Sequence, residues 1–521
     1  MDASVETPTG PVSGGLRGAA ALAGAVATGV ALGISELLAG LLPQAASPVI
    51  AVGDAVVDRV PAAVKNAAIA LFGTADKVVL VIGVVVVCAA VGAGIGVAAR
   101  RRFGAAVAAF VVFAVVGVLA SAGDPQASVL ATAAVLVVGV AAGLGLLYRL
   151  LSIHPGGAAA GGVRPALARR RFLRLAGTGV VAAVAAALAG RSLRTRSVAA
   201  ASRAAVKVPE PLETLAPLKS GTDFAIPGVE PFATPNETFY RIDTALSVPR
   251  VDVKTWQLRV TGMVDQPLAW TFDELVANGV EEHWTTLCCV SNEVGGSLIG
   301  NARWSGVPLK TVLQAAGVQQ AATQIVGRSV DGWTAGFPTE VAFDGRAAMV
   351  AVAMNGEPLP IEHGFPARLV VPGLYGYVSA TKWLSEIELT TWEDFDAYWV
   401  PRGWSKEGPI KTQSRIDVPR AGNVKAGPVA VAGVAWAQGR GIECVEVQVD
   451  DGPWVQARLA EVPNVDTWRQ WMWEWDAEPG SHVLQVRATD STGETQTEQR
   501  QPVMPDGATG YHRMFVQVQP A

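Results

Sequence analysis

Hydrophobic positions are distributed in two ways along this chain, and the change falls near its middle. The front half carries five nearly unbroken apolar runs, at about Gly18–Leu42, Val78–Ala99, Phe103–Ala122, Ser128–Leu147 and Phe172–Gly190. A helix crosses a bilayer with about 20 apolar residues, so the pattern predicts five membrane spans. The middle three runs contain no charged residue, and a soluble bundle built from them would have no polar face. Residues 191–230 then read as a linker: Arg191–Arg203 is basic and rich in small residues, and Pro209, Pro211, Pro217 and Pro227 interrupt any regular element. From Pro231 the pattern becomes globular. Thr255–Met263 alternates as a strand, and Thr271 with Glu274 three residues on reads as a helix start. From about Val418, strand-like runs recur at Val429–Trp436, Val445–Val449, Trp454–Leu459 and His482–Ala488, separated by turns such as Asp451-Gly452. They fit a β-sandwich of about 100 residues.

A chain of 521 residues is too long for one core. The expected division is a transmembrane helical region over 1–190, the linker over 191–230, a catalytic domain over 231–415 and the β-sandwich over 416–521. All 15 tryptophans lie between Trp256 and Trp475, which marks the back half as the globular part. Charged residues are 17% and the formal net charge is −4, so nothing points to a nucleic-acid partner. Charge placement does bear on topology. Arg100–Arg102 lies between the second and third runs, and Arg149, Arg164, Arg169, Arg170 and Arg171 lie between the fourth and fifth, with Arg174 at the start of the fifth. Positive loops stay in the cytoplasm, so the chain after Gly190 is expected outside it. Arg169-Arg170-Arg171-Phe172-Leu173-Arg174 also matches the R-R-x-F-L-K/R signature of twin-arginine export. No haem is expected, because the only histidine before residue 283 is His154, beside Pro155, and no C-x-x-C-H occurs. Only Glu36 and Lys65 stand as weak exceptions to a front half without the ionisable groups of a transport pathway.

The chemistry concentrates in Thr285–Leu309, TTLCCVSNEVGGSLIGNARWSGVPL, with adjacent Cys288 and Cys289. Taken alone, the pair reads either as two small buried hydrophobes or as a soft thiolate donor whose metal would need further ligands from a cofactor. A disulfide between neighbours is disfavoured, since their Cα atoms are about 3.8 Å apart. Successive strand side chains face opposite ways, so only one of the two can reach a metal.

This stretch, taken with the blocks around it, resembles the sulfite oxidase superfamily of molybdopterin enzymes. The family's C-x-x-N turn falls on Cys289 and Asn292, which makes Cys289 the implied molybdenum ligand and leaves Cys288 to the core. Phe239-Tyr240-Arg241-Ile242-Asp243 resembles the family's first cofactor-touching segment, and Ser329-Val330-Asp331-Gly332-Trp333 its S-x-D-G-Y segment, whose Asp contacts the pterin. Glu362-His363-Gly364-Phe365-Pro366-Ala367-Arg368 matches the block whose His and Arg bind pterin and phosphate. Ser379-Ala380-Thr381-Lys382-Trp383-Leu384 resembles S-V-K-W-L with one extra residue, which implies cofactor roles for Ser379, Thr381 and Lys382. The resemblance implies an α+β sulfite-oxidase-type domain, a molybdenum–molybdopterin cofactor and a C-terminal immunoglobulin-like β-sandwich, often a dimerisation module. It also gives the export signal a reason, because a buried cofactor must be loaded into a protein folded before export.

Two departures concern the substrate. Asn292 is followed by Glu293 and Val294 where sulfite oxidases carry Arg, and Trp399-Val400-Pro401-Arg402-Gly403-Trp404 ends in Trp where they carry an active-site Tyr. Arg402 and Trp404 are the expected substrate-side residues, and Glu293 disfavours an oxyanion. The expected function is two-electron oxygen-atom transfer on a small molecule by a membrane-anchored, multi-pass protein with its catalytic domain outside the cytoplasm. Reduction of an S-oxide or N-oxide leads, with sulfite-oxidase-type oxidation and a non-catalytic membrane scaffold as alternatives. Membrane lipid, a separate electron-transfer partner and a second copy of the chain are the expected associates. Cys88 lies in a span and Cys444 has no obvious partner, so no disulfide framework is expected.

Overall fold

The computed structural model describes residues 12–42, 44–60, 64, 71–72, 76–153, 165–195, 198–420 and 422–520. Lys65, His154 and Arg164 lie outside the described residues. The chain divides into two compact units, Met1–Ser197 with Ala245–Ser247, and Val198–Thr244 with Val248–Ala521.

The first unit is helical: α1 (Val12–Leu41), α2 (Pro48–Arg59), α3 (Asp76–Ala99), α4 (Phe103–Ser121), α5 (Val129–Ile153) and α6 (Pro165–Thr195). All but α2 are long and apolar enough to cross a membrane. The breaks are chemical. Arg100–Arg102 ends α3, with Arg102 extended at the start of α4, and Asp124-Pro125 separates α4 from α5. Helix α1 is the hub, with 44% of its most apolar stretch buried against 17–28% for the other four, and it packs on α3, α5 and α6. Glycines make the approach possible. A Cβ on Gly24 would strike Gly96 N at 2.6 Å, and one on Gly40 would strike Gly190 Cα at 2.7 Å, so backbones meet where side chains normally intervene. The outer faces leave Val112, Leu119, Leu130 and Val181 exposed, as a lipid surround permits.

Glu36 has a structural partner. Its carboxylate accepts from Ser47 Oγ at 2.6 and 2.8 Å and from the Val49 N–H at 3.2 Å, at the start of α2. Ser47 in turn accepts from the Ile50 N–H at 3.3 Å. The acid therefore caps a helix, where negative charge complements the helix dipole.

The second unit is built on four sheets. One runs in the order Leu268–Thr271, Gln257–Gly262, Leu384–Thr390, Gln324–Ser329, Thr334–Pro338, and only the pairing of Gln257–Gly262 with Leu384–Thr390 is parallel. Leu258 and Val260 are buried between outward-facing Gln257 and Arg259, the alternation of a half-buried strand. Thr271 and Glu274 form a reciprocal cap: the Thr271 N–H donates to Glu274 at 2.8 Å, and the Glu274 N–H donates back at 3.4 Å. The second sheet orders Glu281–Cys288, Ile299–Pro308, Met349–Met354 and Glu357–Pro358, with Arg368–Val370 also on Met349–Met354. The helix Leu309–Ala316 packs Leu309, Val312, Leu313 and Ala316 inward and stops at Gly317, whose φ is 68°.

The C-terminal part pairs a four-stranded sheet (Gln413–Val418, Gly427–Trp436, Arg469–Ala477, Arg458–Leu459) with a five-stranded one (Gly422–Lys425, His512–Gln519, Gly480–Asp490, Ile442–Val449, Val455–Gln456). They share a core that includes Val431, Val445, Trp471, Trp475, Leu484 and Val516. The stretch before residue 230 is tied to this second unit. Arg203 donates to the carbonyls of Pro358 and Leu359, the Leu212 N–H to Val280 O at 2.8 Å, and the Phe224 N–H to Gln470 at 2.7 Å.

Candidate active site

The strands Glu281–Cys288 and Ile299–Pro308 form a hairpin with Cys288 paired to Ile299, and the chain between them makes a tight loop. The Cys289 N–H donates to Leu298 O at 2.9 Å and the Asn292 N–H to Cys289 O at 3.0 Å. The Asn292 side chain accepts from the Leu298 N–H at 2.8 Å. Asn292 thus shapes the loop and does not itself reach the cleft. The alternation of the strand separates the thiols: Cys288 sits in the hydrophobic core, and Cys289 lines a cleft of about 920 Å³, its mouth included.

Around that cleft the structure gathers segments far apart in sequence. Phe239, Tyr240, Asp331, Arg368, Lys382 and Trp404 all line it, as do Asp243, Ser291, Trp333, Tyr377, Trp383 and Trp399. Arg241 and His363 instead line an adjoining cavity of about 860 Å³, and Phe239 borders both. Ser379 and Thr381 are fully buried and turned to backbone carbonyls, of Tyr375 at 3.0 Å and Gly327 at 3.3 Å. Arg402 does not line the cleft. The turn Val400–Arg402 ends at Gly403 with φ 94°, and the guanidinium stacks 3.6 Å from the Tyr398 ring centroid while donating to Tyr398 O.

Electrostatically the site is a cluster of cations with Asp243 as their bridging counter-charge. Asp243 bridges Arg241 at 2.9 Å and Lys382 at 3.0 Å, and its side chain is nearly buried. Burial lowers Lys382 to about 8 despite Asp243, and lowers Arg368 to about 10. Burial and the Arg368 charge lower His363 to about 4, although its Nε2 sits 3.0 Å from Asn236 O. Arg368 lies 5.0 Å above the Trp304 ring and donates to His363 O at 3.2 Å. Lys382 and Arg368 both remain cationic at neutral pH, and burial raises the cost of leaving their charge uncompensated, so an anion placed among them is favoured. At the other end, burial raises the Cys289 thiol, opposed by hydrogen bonds from Ser291 and by Lys382. Burial and the nearby cysteines push Tyr240 far above the usual phenol range. Asp331 lines the cleft with its carboxylate already accepting from the Trp333 N–H at 3.1 Å, and burial raises it.

Trp383 flanks Lys382, whose ammonium also donates to Glu362 O at 3.1 Å. The Trp383 backbone is left-handed (φ 48°), its indole donates to Ile361 O at 2.7 Å, and the Lys382 ammonium lies 5.1 Å from its ring centroid. Asp243, Ser291, Tyr377 and Trp399 are site residues that the sequence reading did not assign. For Asp243 the available signal was its place two residues after Arg241, within the segment already singled out.

The residues fit a pterin-held molybdenum. Among the described residues no cluster of three His, Cys, Asp or Glu could hold a metal. Cys289 lines the cleft and would offer one protein thiolate, the other ligands coming with the cofactor. The cations at the far side supply what its phosphate requires.

Comparison with known proteins agrees. A family profile described as "Oxidoreductase molybdopterin binding domain" matches residues 245–399. Mitochondrial sulfite oxidase of Homo sapiens is 30% identical over 344 residues, 56% of this chain and 63% of its own. The oxidoreductase YuiH of Bacillus subtilis is 36% identical over 157 residues, 30% of this chain and 76% of its own. The sulfane dehydrogenase SoxCD from Paracoccus pantotrophus aligns over 59% of this chain and 87% of its own, with 23% identity and a TM-score of 0.49. The chain spans 62–63% of the length of the mammalian sulfite oxidases it matches. On the family profile and the similarity to YuiH and the sulfite oxidases, this chain belongs to the molybdopterin-binding oxidoreductases of the sulfite oxidase family.

Proposed function

We propose that this oxidoreductase reduces an S-oxide or N-oxide on the extracytoplasmic side of the cytoplasmic membrane, fed by a separate electron-transfer partner. The molybdenum cofactor supplies two-electron oxygen-atom exchange when bound. Cys289 contributes the protein thiolate. Arg241, His363, Arg368 and Lys382 hold the phosphate and pterin, and Phe239 and Tyr240 border them. Trp333, Trp399, Trp404 and Tyr377 narrow the cleft and exclude water.

One observation carries the substrate reading. The cleft of Cys289 has aromatic walls, with Trp404 at 5.8 Å from Tyr377 and 6.2 Å from Trp399 between ring centroids, and Arg402 is turned away onto Tyr398. Arg368 and Lys382, the cations that do line it, are engaged at the cofactor end. A neutral, partly apolar oxide suits such a wall better than a sulfite dianion. The sulfite oxidases among the relatives favour the alternative, oxidation of sulfite.

Purified full-length protein should oxidise a reduced viologen dye with sulfoxides or amine N-oxides, and should fail to reduce ferricyanide with sulfite. The opposite pattern would replace this reading with the oxidase one.

The address rests on the five apolar helices, the arginines of residues 100–102 and 169–174, and the twin-arginine motif. Replacing Arg169 and Arg170 with Lys should leave the second unit unexported; normal delivery would sink that part. The two C-terminal sheets are read as an immunoglobulin-like module that joins two copies of the chain, which sedimentation in detergent would test.

A further inference from the structure

The Cys289 loop is braced from outside its own hairpin. Arg415, in the strand Gln413–Val418, has 7% of its side chain exposed, and its Nη1 donates to Gly296 O at 2.9 Å. The guanidinium cannot swing away, because its Nε is held by Asp417 at 2.6 Å, whose other oxygen accepts from the Glu230 N–H at 3.1 Å. His512, opening the strand His512–Gln519, lays its ring against Gly295. A Cβ there would collide with three ring atoms, and Gly295 has φ 80°. His512 Nδ1 accepts from the Ile416 N–H at 3.0 Å, so the ring is keyed to the strand that carries Arg415.

The loop has little rigidity of its own at this point. Gly295 and Gly296 are adjacent, and a Cβ on Gly296 would strike the Asn292 Oδ1 that closes the loop at 2.6 Å. Neither Arg415 nor His512 lines the cleft, and both come from the C-terminal sheets. A buried guanidinium committed to a loop carbonyl, with an aromatic floor under the neighbouring glycine, fixes where the loop sits.

We infer that Arg415 and His512 are positioning residues for the Cys289 thiolate, so that the C-terminal sheets set the place at which the sulfur meets its metal. This rests on Cys289 being the metal ligand.

The test compares Arg415→Gln, Arg415→Lys and His512→Ala in full-length holoenzyme with Arg487→Gln. The last breaks the Arg487–Glu446 pair (2.8 Å) in the same sheets, away from the loop. Molybdenum content, the Mo(V) paramagnetic spectrum, kcat, KM and Tm are recorded. Alkylation of Cys289 relative to Cys288 is followed in protein from cofactor-deficient cells. Arg415→Gln and His512→Ala should shift the Mo(V) spectrum, change Cys289 alkylation several-fold and lower kcat by about 10–100-fold at nearly constant KM. Arg415→Lys should recover part of this, and Arg487→Gln should lower Tm alone. Should Arg415→Gln not fold, Gly295→Ala displaces the loop from its own side and must shift the spectrum likewise. If these variants lose Tm but keep the wild-type spectrum, alkylation ratio and kcat, the inference fails. Wild-type protein without stoichiometric molybdenum would instead remove the cofactor reading beneath it.

Discussion

The two units differ in what lies at their closest contacts. Helix α1 meets its neighbours through Gly24, Gly40, Ala23 and Ala27, with the backbone itself at the contact. Phe110, Leu147, Leu150 and Phe172 are buried in the same unit, but many of its large aliphatic side chains, such as Val112, Leu119 and Leu130, face outward. The second unit fills its interior with Trp304, Trp383, Trp436, Trp468 and Trp471, lays Arg368 over Trp304 and buries Arg415 as well. Where water is the alternative environment, large apolar area drives packing. Where lipid is, close fit between small residues must do so. The difference teaches that a substitution should be judged by unit: adding atoms harms the first, and removing them harms the second.

The sharpest break in that contrast lies within one pair of neighbours. Cys289→Ser should abolish molybdenum retention and reduce turnover below about 1% of wild type, while Cys288→Ser, in the core, keeps most of it. Metal analysis and dye-linked kinetics check this, and the reverse result would overturn the ligand assignment. Next in size, Trp468→Ala should cost the second unit about 3–5 kcal/mol in denaturant unfolding. Its indole is fully buried and donates to Phe232 O at 2.9 Å. Leu119→Ala, on an exposed helical face, should change stability by no more than about 0.5 kcal/mol. The converse test is Gly96→Leu, which should destabilise the helical unit by about 1–3 kcal/mol through overpacking. Equal tolerance of both changes would dissolve the contrast.

A further test concerns pH. Burial and the Arg415 charge hold His512 at about 4 against an ordinary 6.5, with Asp417 pulling upward and Arg500 downward. Between those values the unfolded chain binds the additional proton. Stability from this group is therefore complete above about 6.5 and drains as pH falls toward 4. Replacing His512 with Phe should flatten the slope of stability between pH 4.5 and 6.5 by up to one proton, read from denaturation midpoints.

How much of this the sequence disclosed depends on distance along the chain. The five long helices follow from long apolar runs, the middle three of them without a charged residue. Helix α2 escaped, because it is 12 residues long, carries Asp54, Asp58 and Arg59, and is capped by Glu36 from another helix. Most of the singled-out positions reach the cleft or its neighbouring cavity, since each lies in a local block whose chemistry is visible. Arg402 reads as a cation in any sequence, but the turn ending at Gly403 decides where it points. The bridging role of Asp243 and the braces from Arg415 and His512 depend on strand register and tertiary packing, which a one-dimensional pattern does not encode.

Trp383 has a consequence for anyone who would re-engineer this protein. Glycine or asparagine would relax its left-handed turn, yet either would empty the volume beneath the Lys382 ammonium. A different bulky residue would fill the volume and keep the strained turn. Both demands fall on one residue, so a search for thermal robustness that scores backbone ease alone will choose the very exchange that strips the aromatic face from beside Lys382 and leaves its ammonium to Asp243 and the Glu362 carbonyl.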